Sequence, residues 1–239
     1  MTEVTDAFVA RLVLSNSAGD VTNDILFTDG LLGKYSYTKR LDATFTAGNG
    51  GGGLDTGAIA NAWYTCFAIR KVDTGAVDYI FSTSATSPTI PAGYGNARRV
   101  GSIRRVAAAI VIFKQYGEDF IYNAVAQDVL VTTQGATAIL RTISVPPGVR
   151  VVAILNFGVA HATATSGTVY CSSPDASDED PANNYSVTNV CQVNGRGVYN
   201  RLLVLTDQSS QVRTRGIAAN TTVVIGTVGW TETPGRRVI

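Results

Sequence analysis

The sequence predicts an all-β protein, an antiparallel β-sandwich of jelly-roll type with little helix. Three observations predict it. Short runs rich in Val, Ile, Thr and aromatic residues recur along the chain, and these are the side chains that fit a pleated surface. Gly, Pro, Asn and Asp separate the runs. No long segment carries a convincing 3.6-residue apolar period.

Taken in order, residues 8–14 put Phe8, Ala10, Leu12 and Leu14 on one face. Residues 63–70 do the same with Trp63, Thr65, Phe67 and Ile69. Residues 77–81 align Val77, Tyr79 and Phe81, with Asp78 opposite. Residues 106–113 are apolar on both faces, as expected of a strand buried between layers. Further strands are expected at 120–131, 138–144, 149–157, 168–172, 201–206, 211–215 and 222–230. Residues 119–131 are also the best helix candidate, but their β-branched and aromatic content argues against a helix. Many short strands with regular turn signals indicate a sandwich or barrel.

Three segments read as loops. Residues 47–53 (AGNGGGG) lack side chains and are expected to hold no regular element. Residues 82–96 carry Pro88, Pro91, Gly93 and Gly95, and residues 172–184 are polar and acidic. Residues 1–33 read as an N-terminal strand or arm suited to docking on a larger particle, and 34–239 as the sandwich. Two strand-rich halves meet at Val145-Pro146-Pro147-Gly148, either a boundary or a corner. A corner is favoured, because Pro-Pro-Gly is too short for a flexible linker. There is no repeat, heptad run or collagen-like tract, so no fibre shaft is expected in this chain.

A chain of 239 residues should bury roughly 70–75% of its unfolded surface and needs no disulfide or metal to fold. Only 15% of its residues are charged, against about 25% in an ordinary domain. Uncharged surface is often covered by another subunit, so a homo-oligomer is expected. The net charge of +1 offers no electrostatic case for nucleic acid or an anionic membrane. The N-terminus is acidic where a signal peptide would be basic, and no run reaches about 18 apolar residues, so a cytosolic origin without membrane insertion is expected. The spacing of the three cysteines fits no zinc pattern. Cys66 reads as a small buried hydrophobe. Cys171 and Cys191 could pair across a loop, though a cytosolic origin favours free thiols.

Each candidate for chemistry has a plainer reading. The cluster Gly48, Gly50, Gly51, Gly52 and Gly53 lacks the Gly-Lys-Ser/Thr ending of a phosphate loop, and Asp55 follows it. A turn that lets the backbone approach a neighbour closely is the better reading. His161, the only histidine, follows an apolar strand without triad or metal partners. Asp175, Asp178, Glu179 and Asp180 resemble a calcium loop in composition, but a solvated loop is favoured. Strand alternation would put Arg98 and Arg104 on one face and Arg99 and Arg105 on the other, a pattern suited to ion pairs or subunit contacts. Trp63 and Trp230 read as core. Tyr94, Tyr185 and Tyr199 flank loops and are the candidates to face a ligand. No catalytic residue, cofactor site or metal site is expected.

The run Gly52-Gly53-Leu54-Asp55-Thr56-Gly57, with Ile59-Ala60, Trp63-Tyr64, Asp78, Phe81-Ser82-Thr83-Ser84, Pro88, Gly93-Tyr94 and Arg98-Arg99-Val100-Gly101-Ser102-Ile103-Arg104, resembles a signature of bacteriophage tail-fibre-like virion proteins. Gly229-Trp230 and Gly235-Arg236-Arg237 resemble their C-terminal end. The likeness covers residues 50–105 and the last strand. It implies a β-sandwich, often trimeric, without catalytic activity, acting in the virion beside other virion proteins. It transfers no catalytic residue. The leading expectation is therefore a fibre, spike, collar or decoration subunit. A receptor-binding module for host surface glycan is the alternative, and a polysaccharide depolymerase is disfavoured because no acid–base pair is evident.

Overall fold

A computed structural model describes residues 12–29, 35–161, 167–181 and 198–232. Among them there are strands and turns but no helix. The strands are β1 (Val13–Asn16), β2 (Asp24–Thr28), β3 (Ser36–Thr44), β4 (Gly52–Leu54), β5 (Trp63–Lys71), β6 (Val77–Ser82), β7 (Tyr94–Val106) and β8 (Ala109–Ile110). They continue with β9 (Phe113–Tyr116), β10 (Asp119–Gln134), β11 (Ile139–Thr142), β12 (Val152–Ala160), β13 (Val169–Ser172), β14 (Val198–Leu205), β15 (Gln211–Gly216) and β16 (Thr221–Thr231). One mixed sheet of 13 strands runs β14-β12-β16-β10-β9-β1-β2-β3-β4-β6-β5-β7-β8, and β11-β15-β13 form a second sheet. The long sheet is open and closes no barrel. Its parallel pairs are β3–β4 and β4–β6.

The chain divides into two compact units. Met1–Asn123 with Glu232–Ile239 form one, and Ala124–Thr231 form the other. Pro146, Pro147 and Gly148 lie inside the second unit.

In the first unit, β1 and β2 pair with each other, and β2 pairs on into β3. Leu12, Leu14, Ile25 and Phe27 are buried, so residues 12–29 belong to the sheet. Phe27 stacks on Tyr79 with ring centroids 4.0 Å apart, and Tyr37 meets Tyr79 edge-on at 5.2 Å. Asp20 shapes the β1–β2 turn. Its Oδ1 accepts the Thr22 hydroxyl at 2.6 Å and the Thr22 amide at 2.9 Å, and these bonds hold its carboxyl down to a pKa of about 2.

In the second unit, β12 pairs with β14 on one side and β16 on the other. Ala153, Leu155, Phe157 and Val159 are buried beside Val223, Ile225 and Trp230, and Ile154 on the other face of β12, next to a bulge in the pairing with β16, is buried as well. Trp230 is core, as the sequence indicates.

Two expectations change. Residues 106–113 are not one strand. The chain reverses at Ala107 and Ala108, both at positive φ (50° and 63°), and β8 pairs back onto β7. This is a two-residue hairpin loop built without the Gly or Asn that usually marks one, so its sequence hides it. Val106 and Ile112 are exposed. The strand expected at 120–131 is borne out within β10, whose first residues pair with β9, and the disfavoured helix does not form. The glycine run holds a strand after all: β4 starts at Gly52. A Cβ at Gly52 would lie 2.1 Å from Thr44 O, and one at Gly53 2.7 Å from the Phe81 ring. The missing side chains admit the Thr44 carbonyl and the Phe81 ring, the close approach that the turn reading of that cluster anticipates, but in an extended conformation.

Candidate functional site

The polar groups that attract attention in the sequence are engaged in bracing the fold. Alternation along β3 places Tyr37, Lys39 and Leu41 on its buried face. The Lys39 side chain is 0% exposed and that of Asp78, on β6, 3%. Lys39 Nζ lies 2.8 Å from Asp78 Oδ1 and donates to Thr46 O at 2.6 Å and Gly48 O at 3.3 Å. It also stands 4.6 Å from the centre of the Phe45 ring. Three acceptors match the three N–H bonds of an ammonium. Burial pushes the Lys39 pKa down, and Asp78 pulls it back. Asp78 Oδ2 accepts the Gly48 amide at 2.9 Å and faces the Tyr94 hydroxyl at 3.5 Å. Burial pushes the pKa values of Tyr37 and Tyr94 up, so their hydroxyls remain protonated donors at neutral pH.

This knot clamps the glycine loop onto the sheet. The Gly48 amide donates to Asp78, the Gly50 amide to Thr38 O, and the Gly51 amide to Gly48 O. A phosphate cradle needs such amides aimed at a ligand. Here they point into the protein.

The four arginines of β7 do not alternate as the sequence suggests. Between Phe67↔Arg99 and Cys66↔Gly101 the register slips by one residue, a β-bulge at Val100. Arg99, opposite Phe67, therefore shares a face with Ser102, opposite Thr65, and with Arg104, opposite Trp63. Arg99 is buried. It donates to Glu232 Oε1 and to Ser102 Oγ, each at 2.7 Å. Arg104 lies 6.0 Å from the Trp63 ring centre. Arg105 donates to Ala108 O at 3.0 Å and steadies the β7–β8 turn. Arg98 lies opposite Ala68, half-buried.

The acidic loop is neutralised by its own chain. Arg150 Nε meets Asp175 Oδ2 at 2.5 Å and holds the Asp175 carboxyl below its usual pKa. Arg215 pairs with Asp178 at 2.8 Å and with Asp180. Arg213 donates to the backbone of Pro174 at 2.7 Å and of Ala176 at 2.9 Å. Arg213 and Arg215 lie on β15, so that strand anchors the loop. Among the described residues, no three His, Cys, Asp or Glu side chains gather where they could hold a metal ion.

Elsewhere in the second unit, Asp128 accepts from the Ser144 hydroxyl at 2.5 Å and from that of Thr227. His161 Nε2 lies 3.2 Å from Ala219 O, beyond the end of β12. Cys66 is fully buried, which pushes its thiol pKa up, and Cys171 is a buried free thiol. Cys191, Tyr185 and Gly235-Arg236-Arg237 lie outside the described residues. Tyr94 is half-buried and packs edge-on against Phe45 at 5.3 Å.

Tyr199 is different. It is 70% exposed, on β14, with Leu203 at 68% and Leu205 at 42% on the same face. Register carries that face onto Val152, Ile154, Asn156 and Gly158 of β12, then onto Val224, Gly226 and Gly229 of β16. A Cβ at Gly158 would lie 2.4 Å from the Tyr199 ring, and one at Gly226 2.7 Å from Val125. The glycines let Tyr199 and Val125 lie down on the sheet. The resulting surface is apolar around Tyr199, Leu203 and Leu205 but carries the exposed pair Arg201 and Asn156 opposite each other, and Ile154 within it is buried. Sequence reading singled out Tyr199 but missed Leu203 and Leu205. The signal was present in VYNRLLVL, where both alternating sets are largely apolar.

Comparison with known proteins adds no relative, since no family model, no curated protein and no solved structure matches this chain.

Proposed function

We propose that this chain is a non-enzymatic structural subunit of a bacteriophage virion: a fibre, spike, collar or decoration protein that works by assembling with copies of itself and with other virion proteins. The signature in residues 50–105 and the close of the last strand suggest the setting. One observation carries the mode of action: a sheet face with Tyr199, Leu203 and Leu205 in water, on a chain whose conspicuous buried charges are paired internally. A group locked into a buried pair is poorly placed to act on a substrate. An apolar face is suited to burial against protein.

A sandwich-like layering is part of this reading. In the second unit, the strands β14-β12-β16 and the separate sheet β11-β15-β13 are the candidates for the two layers such a body needs. Residues 1–33 remain the proposed docking segment for the part that lies outside the described residues.

The test is immunogold labelling of phage particles with antibody against this chain, together with the mass of the purified protein in solution. Label on the particle and a trimer or larger assembly are expected. Unlabelled particles would overturn the reading. Glycan recognition stays the second reading because Tyr199 is so exposed, and selective binding on a glycan array would favour it.

A further inference from the structure

We propose that Lys39 and Asp78 are a self-modification site, whose side chains condense after folding into an amide that ties β3 covalently to β6. The ion pair between them is the reactant. Both side chains are closed to solvent, at 0% and 3% exposed, and Lys39 Nζ lies 2.8 Å from Asp78 Oδ1. An amine and a carboxyl held in such contact react as if very concentrated: effective molarities reach about 10⁵–10⁸ M for reacting atoms held about 3–3.5 Å apart. Lysine is the cation suited to this. A desolvated ammonium can give up its proton and become a nucleophile, whereas a guanidinium stays charged. Burial already pushes the Lys39 pKa down, toward the neutral amine that attacks.

The bonds around the pair aim the reaction. Two of the N–H bonds of Lys39 are held by Thr46 O at 2.6 Å and Gly48 O at 3.3 Å. When the third proton passes to Oδ1 along the 2.8 Å contact, the lone pair it leaves behind faces the Asp78 carboxyl. On attack, negative charge develops on Oδ2. That oxygen already accepts the Gly48 amide at 2.9 Å and faces the Tyr94 hydroxyl at 3.5 Å, so donors stand where the charge appears. Oδ1 is the leaving oxygen, and the Tyr79 amide donates to it at 2.7 Å. The Phe45 ring and the glycine loop clamped over the pair exclude the water that would reverse the step.

The step balances without an oxidant or a cofactor. The Nζ–Cγ bond forms and the Cγ–Oδ1 bond breaks. Of the three hydrogens on the Lys39 ammonium, one moves to Oδ1 before attack and a second follows as Oδ1 departs as water. The third stays on the amide nitrogen.

The place of the bond gives it a mechanical consequence. β3 and β6 are not neighbours, since β4 lies between them. β4 is three residues long and pairs with β6 at Leu54↔Phe81 and with β3 at Arg40↔Gly52 and Thr44↔Leu54, across an irregularity. An amide from Lys39 to Asp78 spans this thin seam and closes residues 39–78 into a covalent ring. It lies within the first unit, so its presence or absence leaves the virion reading untouched.

The experiment is mass spectrometry of the full chain, denatured after purification, both intact and as a proteolytic map. Wild type is compared with Lys39→Arg, which keeps a positive charge beside Asp78 but has no amine to condense. Expected is a wild-type mass about 18 Da, one water, below that of the uncondensed chain. A branched peptide joining the Lys39 and Asp78 segments is expected with it, and both signals are absent from Lys39→Arg. The decisive reading is made on wild type, so it stands even where the variant misfolds. A wild-type chain that keeps its full mass after prolonged incubation in native buffer, with separate Lys39 and Asp78 peptides, overturns the proposal. So does a deficit that persists in Lys39→Arg, or one that maps to a single unbranched peptide, as a succinimide would give.

Discussion

Lys39 carries an ammonium into the core of the first unit because Asp78, Thr46 O, Gly48 O and the Phe45 ring together replace its water. A buried pair of this kind is not by itself a gain in stability, since both ions lose hydration. Breaking it is costly, because the surviving charge stays buried without its partner. Asp78→Ala is therefore expected to destabilise the protein by about 3–5 kcal/mol, read as a lowered midpoint in guanidinium denaturation. A change below about 1 kcal/mol would mean that the knot is not formed in solution. At this scale the sequence is nearly silent. A lysine between Tyr37 and Leu41 makes β3 look solvated, and nothing local says that Asp78 will meet it. Arg99 is hidden in the same way, since its partner Glu232 is 133 positions away.

Elements were more legible where their pattern is local. The runs at 63–70, 77–81 and 211–215 became β5, β6 and β15, because alternation needs only the chain itself. The run at 106–113 broke at Ala107 and Ala108, where hairpin closure imposes a left-handed backbone on residues with no preference for it. β4 was illegible for the opposite reason: a glycine run advertises flexibility, whereas here its neighbours demand the absence of Cβ. That difference can be measured. Gly52→Ala forces a Cβ to within 2.1 Å of Thr44 O and is expected to cost about 3 kcal/mol. Gly50→Ala has open space around its Cβ but sits at φ +77°, so about 1 kcal/mol is expected. Chemical denaturation of the two variants checks the order, and equal losses would show that crowding around β4 is not what selects glycine.

For the whole molecule, the division of labour between charged and apolar groups matters most. Charged side chains pair within the chain, at Lys39–Asp78, Arg99–Glu232 and Arg215–Asp178, while the exposed face of β14 is apolar except for Arg201. An assembly held by such a face should be insensitive to screening. Its dissociation constant is expected to shift by less than about threefold between 0.05 and 1 M NaCl, as followed by analytical ultracentrifugation. Loss of the assembly at high salt would instead assign the contact to ion pairs. The sequence by itself determined the all-β character, the irregular stretches at 83–93 and 173–181 and the burial of Trp230, because propensity and period-two patterning act over a few neighbouring residues. Only the tertiary structure decided the strand order, the bulge at Val100, the partners of Lys39 and Arg99, and which of the two apolar faces of β14 stays in water. Those depend on contacts between residues far apart in the chain, where the identity of one partner carries no information about the place of the other.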